Sequence, residues 1–136
     1  MKSKIVLLLL SSAFVTLMHA QEILNTNVTE IAEAVVNLQL EAYNARDIDG
    51  FVATYSEDIE IYKKGKLIMK GHKQLRESYS SLFNNTPNLY CRIENRILIN
   101  NKVIDKENVI ANERIIEAVA IYEVLEGKIQ KVTFVE

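Results

Sequence analysis

Apolar residues follow a helical period in the first half of the chain and an alternating period in much of the second half. From residue 28 to residue 43 they recur at steps of three and four, which predicts an amphipathic helix. One of the residues 25–27 is expected to cap its start, because asparagine and threonine side chains accept hydrogen bonds from free backbone N–H groups. The expected apolar stripe comprises Val28, Ile31, Val35, Leu38 and Ala42, widened by Val36, Leu40 and Tyr43.

The stretch from Asn44 to Gly50 interrupts this helix and predicts a corner. Asp47 is placed to cap a second, short helix, because its carboxylate can accept from the first free N–H groups of that helix. Gly50 is a poor helix former, which suggests that something packs there too closely for a side chain. The buried side after the corner is expected to carry Ile48, Phe51, Val52 and Tyr55.

Alternating residues predict a short strand at 58–62, a turn, and a second short strand at 67–70. A third helix is expected after Gly71, because apolar residues again recur at helical spacing. Its apolar face comprises Leu75, Tyr79, Leu82 and Phe83.

The last third of the chain is predicted to be long strands joined by tight turns, among them Asn100–Asn101 and Glu126–Gly127. The strands are expected at residues 91–99, 102–111, 113–125 and 128–135. On the first of them, one face is expected to carry Cys91, Ile93, Ile97 and Ile99, and the other Arg92, Glu94 and Arg96.

Helices followed by antiparallel strands with short connections indicate an α+β fold. A highly curved antiparallel sheet, with three helices from the N-terminal half closing one end, would bury the apolar faces of both. Such an arrangement would leave a pocket between the sheet and the helices. The corner at residues 44–50 would then lie at the mouth of that pocket.

Residues 1–20 are predicted to be a signal peptide, with cleavage between Ala20 and Gln21. Lys2 and Lys4 supply a positive start, and the apolar run that follows is short for a membrane span. We therefore expect a secreted or periplasmic domain of residues 21–136 that has no membrane contact after cleavage. A retained N-terminal anchor is the alternative.

Charge and composition exclude several classes of partner. Without residues 1–20 the chain has 14 basic and 18 acidic residues, a net charge of −4, whereas nucleic-acid binding favours a basic face. Cys91 is the single cysteine, so no internal disulfide can form, and His72 is the single histidine left. A structural zinc site cannot be built from this pair, and no carboxylate-rich calcium loop is present. We expect neither a metal nor a cofactor.

Four segments, in this order and spacing, resemble the SnoaL-like branch of the nuclear transport factor 2-like superfamily. They are Ala42–Phe51, Tyr55–Asp58, Gly71–Glu77 and Ala118–Ile129. The resemblance covers essentially the whole chain after residue 20. It implies a cone-shaped α+β barrel with a pocket and, often, a homodimer packed through the sheet. It does not imply one activity, because this superfamily includes isomerases, cyclases, dehydratases, small-ligand binders and assembly domains.

The ketosteroid isomerases of that superfamily use a carboxylate base, a donor tyrosine and a donor aspartate. The apolar site of that aspartate keeps it protonated, so that it can donate a hydrogen bond. The resemblance places the base at Lys63, the tyrosine at Gln39 and the aspartate near Ala120. None of the three residues matches. A lysine acts as a base only when burial lowers its pKa, and Lys63 lies in an expected turn.

Pocket character is nevertheless expected. The resemblance places Tyr55 and Tyr79 where isomerases have pocket aromatics, and Tyr43 and Tyr122 lie on faces that should also look inward. Each could equally be an ordinary core aromatic with its hydroxyl at the rim. Together they favour a cavity for a flat or largely apolar small molecule. The predicted pocket set is Gln39, Tyr43, Tyr55, Tyr79, Tyr122 and Phe134.

Asp105 and Glu107 are the candidate acid/base residues, because they project from one face of a predicted strand. Both faces of that strand are half apolar, so periodicity does not say which one points inward. Charged residues are mostly exposed, which favours the outward orientation. If the pair points inward, one carboxyl should hold its proton and the other could act as a base.

His72 and Cys91 are weaker candidates. His72 precedes the third helix without a visible partner, and Cys91 lies on an apolar strand face where a small core residue is expected. Three functions therefore stay open: a binder of a small apolar ligand, an isomerase- or hydratase-like enzyme that uses Asp105 or Glu107, and a self-association module.

Overall fold

The computed structural model describes the backbone of residues 2–135 and the side chains of residues 14–135. It contains helices α1 (Lys2–Ala45), α2 (Ile48–Ala53) and α3 (Gly71–Asn85). The strands are β1 (Tyr55–Lys63), β2 (Lys66–Lys70), β3 (Tyr90–Ile99), β4 (Lys102–Ala111), β5 (Arg114–Leu125) and β6 (Lys128–Val135).

The six strands form one curved, open sheet in the order β2-β1-β6-β5-β4-β3. Every neighbouring pair is antiparallel except β1 and β6, which run parallel. The three helices pack on the concave face, where they share one hydrophobic core with β1, β4, β5 and β6. The predicted α+β class is therefore confirmed, with one parallel contact in a sheet expected to be antiparallel throughout.

The corner between α1 and α2 forms as the sequence predicts. The Gly50 amide donates to Asp47 Oδ1 at 3.0 Å, which caps α2. A Cβ on Gly50 would clash with Asp47 Oδ2, so the close neighbour is the capping carboxylate itself. The corner buries Phe51, Val52 and Tyr55 almost completely.

Helix α1 differs from the prediction in its start and in its buried face. It runs unbroken from Lys2, because no glycine or proline interrupts it, and Thr26 donates back to the Glu22 carbonyl instead of capping a helix start. The expected stripe is also wrong in part, since Leu38 is 57% exposed. Val28 and Ile31 are exposed as well, whereas the buried positions of the helix are Ala32, Val36, Gln39 and Ala42.

The N-terminal part of α1 includes the predicted signal peptide, and the side chains of residues 1–13 lie outside the described residues. Cleavage after Ala20 therefore stays a prediction. Within the part of the chain that the structure describes, no helix is both long enough and apolar enough to cross a membrane.

A β-bulge changes the face pattern of β3. Ile93 pairs with Glu107 on β4, but the next pair is Asn95 with Lys106, so Glu94 is the extra residue. One extra residue turns all later side chains to the opposite face. Ile97 and Ile99 are consequently exposed, and Arg96 points to the concave side, contrary to the expected grouping.

The other predicted elements are confirmed. Strands β4 and β6 have the expected bounds, and α3 buries Leu75 and Phe83 on its apolar face. The tight turns depend on left-handed residues, with φ of 52° at Asn100 and 70° at Gly127.

Candidate functional site

A cavity of about 380 Å³ lies between the concave face of the sheet and helices α1 and α3. This volume suits a small organic ligand. All six residues of the predicted pocket set line it: Gln39, Tyr43, Tyr55, Tyr79, Tyr122 and Phe134. The wall also includes residues that the sequence did not single out as pocket residues, mostly apolar: Leu40, Ile68, Leu82, Cys91, Val109, Ile116, Ala118, Val132 and Val135.

An aromatic cluster holds the inner wall of this cavity in place. Phe51 lies at its centre, with ring centroids 4.4 Å from Tyr79 and 5.0 Å from Tyr55. Tyr43 packs edge-on against Phe83 at 5.6 Å and against Tyr79 at 6.3 Å. Because these rings restrain one another, their orientations are set by packing before any ligand enters.

Gln39 and Tyr55 form a polar contact inside this apolar wall. The Gln39 Nε2 donates to the Tyr55 hydroxyl at 3.0 Å, and both residues are buried. Burial raises the pKa of Tyr55 well above its ordinary value, so the phenol stays neutral. A hydroxyl that accepts one hydrogen bond still carries its own hydrogen, which Tyr55 can donate to another group.

Glu107 places a carboxyl on the cavity wall. It is 5% exposed, and its Oε1 accepts a hydrogen bond from the Tyr122 hydroxyl at 2.7 Å. Burial raises the pKa of Glu107 to about 7, even though the Tyr122 bond favours the charged form. Glu107 can therefore exchange a proton near neutral pH.

Asp105 is buried next to Glu107 but does not line the cavity. Its two oxygens accept from Nε and Nη2 of Arg96, each at 2.7 Å, which is a bidentate ion pair. Arg96 also donates to Asn37 on α1 and lies 3.6 Å from Glu33. Arg96 thus joins the sheet to the helix, and its ion pair with Asp105 disfavours the acid/base role considered for Asp105.

The outward orientation favoured for Asp105 and Glu107 is wrong. Asp105 is 1% exposed, and both side chains point to the concave face. The usual exposure of charged residues is overridden here, because Arg96 and Tyr122 satisfy the two carboxyls. Arg96 could not be found from the sequence, because only the bulge at Glu94 turns it inward.

The three positions matched to ketosteroid isomerases do not form that catalytic set. Lys63 lines the cavity at an exposed position, and the Gln39 amide is bonded to Tyr55. Ala120 is fully buried and does not line the cavity.

The surroundings of His72 and Cys91 favour structural roles for both residues. The His72 ring donates from Nε2 to the Tyr55 carbonyl at 2.9 Å, and it does not line the cavity. Cys91 lies on the cavity wall, and burial raises the pKa of its thiol to about 12, so it stays protonated. Among the described residues there is no group of three or more His, Cys, Asp or Glu side chains able to hold a metal ion.

A family model for the SnoaL-like domain matches residues 36–132. The chain belongs to the SnoaL-like family. This match spans α2, α3 and β1–β5 completely, together with the end of α1 and the first five residues of β6. A comparison with curated proteins gave no match.

Solved structures share this fold at low sequence identity. An uncharacterised cystatin-fold protein from Novosphingobium aromaticivorans is 21% identical, with a TM-score of 0.71 over 77% of this chain and 97% of its own. A SnoaL-like protein of unknown function from Burkholderia thailandensis is 16% identical, with a TM-score of 0.66. That match covers 78% of this chain and 93% of the Burkholderia chain.

A candidate ketosteroid isomerase from Kribbella flavida is also 16% identical, with a TM-score of 0.68 over 78% of this chain and 77% of its own. These similarities establish the fold and leave the activity to the residues of the site.

Proposed function

We propose that this protein binds a small, largely apolar molecule in the tyrosine-lined cavity. The observation that supports this is the cavity of about 380 Å³, whose wall combines four tyrosines and aliphatic side chains with few charged groups. Burial of apolar ligand surface stabilises such a complex by roughly 25 cal/mol for each Å² removed from water. Export is part of this proposal, so the ligand would be met outside the cytoplasm.

The test uses N-phenyl-1-naphthylamine, a flat and neutral fluorescent probe. We expect saturable binding by the purified domain. Ala118 lines the cavity, so Ala118→Phe should fill it and weaken binding at least tenfold, whereas Ala45→Phe on the exposed end of α1 should not. Unchanged binding in Ala118→Phe, with a wild-type melting curve, would contradict the proposal.

Glu107 supports a second candidate function, proton transfer to or from the bound molecule. Its pKa of about 7 matches the requirement for a general acid or base at neutral pH. The test follows deuterium exchange at the α-carbon of 2-decalone in D₂O by NMR. Exchange above the buffer rate that disappears in Glu107→Gln supports catalysis, and exchange at the buffer rate supports a non-catalytic binder.

The convex face supports a third proposal, self-association through the sheet. Ile97, Ile104 and Ile121 are register partners in a row across β3, β4 and β5, and Ile97 is 54% exposed. Ile104 and Ile121 are half-buried, and a partly exposed apolar row of this kind favours a partner surface, here a second copy of the chain. Sedimentation should show a dimer that Ile97→Lys disrupts and that Leu125→Lys, at the β5–β6 turn, does not.

A further inference from the structure

Two buried carboxyls lie two residues apart on the concave face of β4, and they differ in their partners. Asp105 is paired with a cation, because Nε and Nη2 of Arg96 each donate to one of its oxygens at 2.7 Å. Glu107 has a phenol, Tyr122, at 2.7 Å, and none of the salt bridges among the described residues includes it. A buried carboxylate without a cation is costly, and the charge of Glu107 is therefore the one that a ligand can compensate.

The surroundings of Glu107 favour a positive group over a negative one. The lining contributes Tyr43, Tyr55 and Tyr79, whose phenol oxygens accept hydrogen bonds and whose π-systems attract cations. Among the described residues that line the cavity, the cationic side chain is that of Lys63, which lies at an exposed position. Glu107, in contrast, is only 5% exposed. An anionic ligand group would meet the Glu107 carboxylate at the inner wall and be repelled.

We propose that the ligand of this cavity is an amine with an apolar body, whose ammonium group pairs with the Glu107 carboxylate while its hydrocarbon part packs among the tyrosines. This inference rests on the proposed binding function and names the chemical class of its ligand. One oxygen of Glu107 is bonded to Tyr122, and Oε2 is the oxygen that receives the ammonium. An ammonium has three donors, so phenol oxygens on the same wall complete its hydrogen bonds.

The proton balance of this step is simple. An amine that arrives protonated displaces the proton of a neutral Glu107 into solvent, and an amine that arrives neutral takes that proton itself. Either way the complex contains one carboxylate and one ammonium. Below pH 7 an alkylamine is protonated in solution, because its pKa is roughly 10. Glu107, whose pKa burial raises to about 7, is mostly neutral there, so binding of the amine releases one proton.

The phenols and the thiol on the cavity wall stay protonated in this range. Burial raises the pKa of the cavity phenols Tyr43, Tyr55, Tyr79 and Tyr122, and it raises that of the Cys91 thiol to about 12. Asp105 is paired with Arg96. Lys63 and Glu117 lie at exposed positions on the cavity wall.

The experiment compares 1-adamantylamine with 1-adamantanol, which share the same hydrocarbon cage, by titration calorimetry at pH 8. We expect the amine to bind at least about tenfold more tightly, because a hydrogen bond between two charged groups is stronger than one between neutral groups. Glu107→Gln should abolish this preference. Glu113→Gln is the matched control, because it removes an exposed carboxyl at the turn between β4 and β5, outside the cavity, and it should retain the preference.

A second measurement needs no variant. In wild-type protein at pH 6, titrations in buffers of different ionisation enthalpy should show proton release with the amine and none with the alcohol. Equal affinity for the two compounds, a preference that survives Glu107→Gln, or binding without proton release would each overturn the amine assignment. Tight binding of the alcohol alone would overturn it and still support an apolar cavity, whereas failure of both compounds and of N-phenyl-1-naphthylamine would overturn the binding function itself.

Discussion

Arg96 on β3 and Asp105 on β4 are register partners, and their side chains meet through two N···O contacts of 2.7 Å. Asp105 is 1% exposed, and the side chain of Arg96 is 15% exposed. The pair exists because the β3 bulge turns Arg96 to the concave face. It neutralises one of the two buried carboxyls of β4 and leaves the other, Glu107, on the cavity wall.

Removal of Arg96 should strongly destabilise the fold. Arg96→Met leaves the Asp105 carboxylate buried and unpaired, which costs about 3–5 kcal/mol in the free energy of unfolding. Urea denaturation measures the loss. Arg92→Met, on the same strand but with a 69% exposed side chain, is the matched control and should change stability little. Equal effects of the two substitutions would contradict this account of the ion pair.

The contribution of Glu107 to stability should fall as pH rises through its titration. Burial raises the pKa of Glu107 to about 7 in the folded state, from an ordinary value of 4.5, so the folded state binds more protons between these pH values. The free energy of unfolding contributed by this group therefore decreases from pH 4.5 to pH 7 and is constant above it, a total on the order of 3 kcal/mol.

Urea denaturation of wild type and Glu107→Gln across pH 4.5–8 measures this contribution as the difference between the two proteins. The substitution should remove the decrease. A pH-independent difference would show that Glu107 is charged in the folded state throughout this range.

Asp47 and Gly50 should be energetically coupled. Gly50→Ala places a Cβ against the capping carboxylate of Asp47 and should destabilise the protein, although alanine is normally better than glycine in a helix by about 1 kcal/mol. Asp47→Ala should lose the cap, at about 0.5–2 kcal/mol. In the Asp47→Ala background, Gly50→Ala should become neutral or stabilising. Additive losses in the double variant would rule out the steric explanation.

The protein should not isomerise 3-ketosteroids efficiently. That reaction needs a base and two oxyanion donors, and Lys63, Gln39 and Ala120 occupy the matched positions. Loss of one oxyanion donor alone typically costs a factor of roughly 100–1,000 in kcat. Absorbance of the conjugated enone formed from a 5-ene-3-ketosteroid measures turnover. Efficient turnover that is abolished by Glu107→Gln would show that this cavity uses a different catalytic set.

Export should remove residues 1–20. The apolar run is short for a bilayer span and is followed by small and polar residues, which suits cleavage after Ala20. Intact-mass measurement of protein recovered from outside the cytoplasm should give the mass of residues 21–136. A mass that includes residues 1–20 would indicate a retained anchor.

The sequence by itself determined the elements and most of the turns, because these depend on interactions between residues near one another in the chain. The Asp47 cap, the Asn100 turn and the bounds of β4 and β6 follow from local hydrogen bonding and periodicity. The aromatic residues that line the cavity were also singled out, although through the resemblance and the expected inward faces of the elements.

Only the tertiary structure decided which faces of these elements point inward. Helix α1 has apolar residues on more than one side, and packing against the sheet selected the side of Ala32 and Val36 over that of Leu38. Glu94, the extra residue in β3, reversed the expected face of Arg96. The burial of Asp105 and Glu107 depended in turn on partners from other strands, Arg96 on β3 and Tyr122 on β5. Contacts between distant segments set the energy of a buried charge, and the period of a single strand carries no information about them.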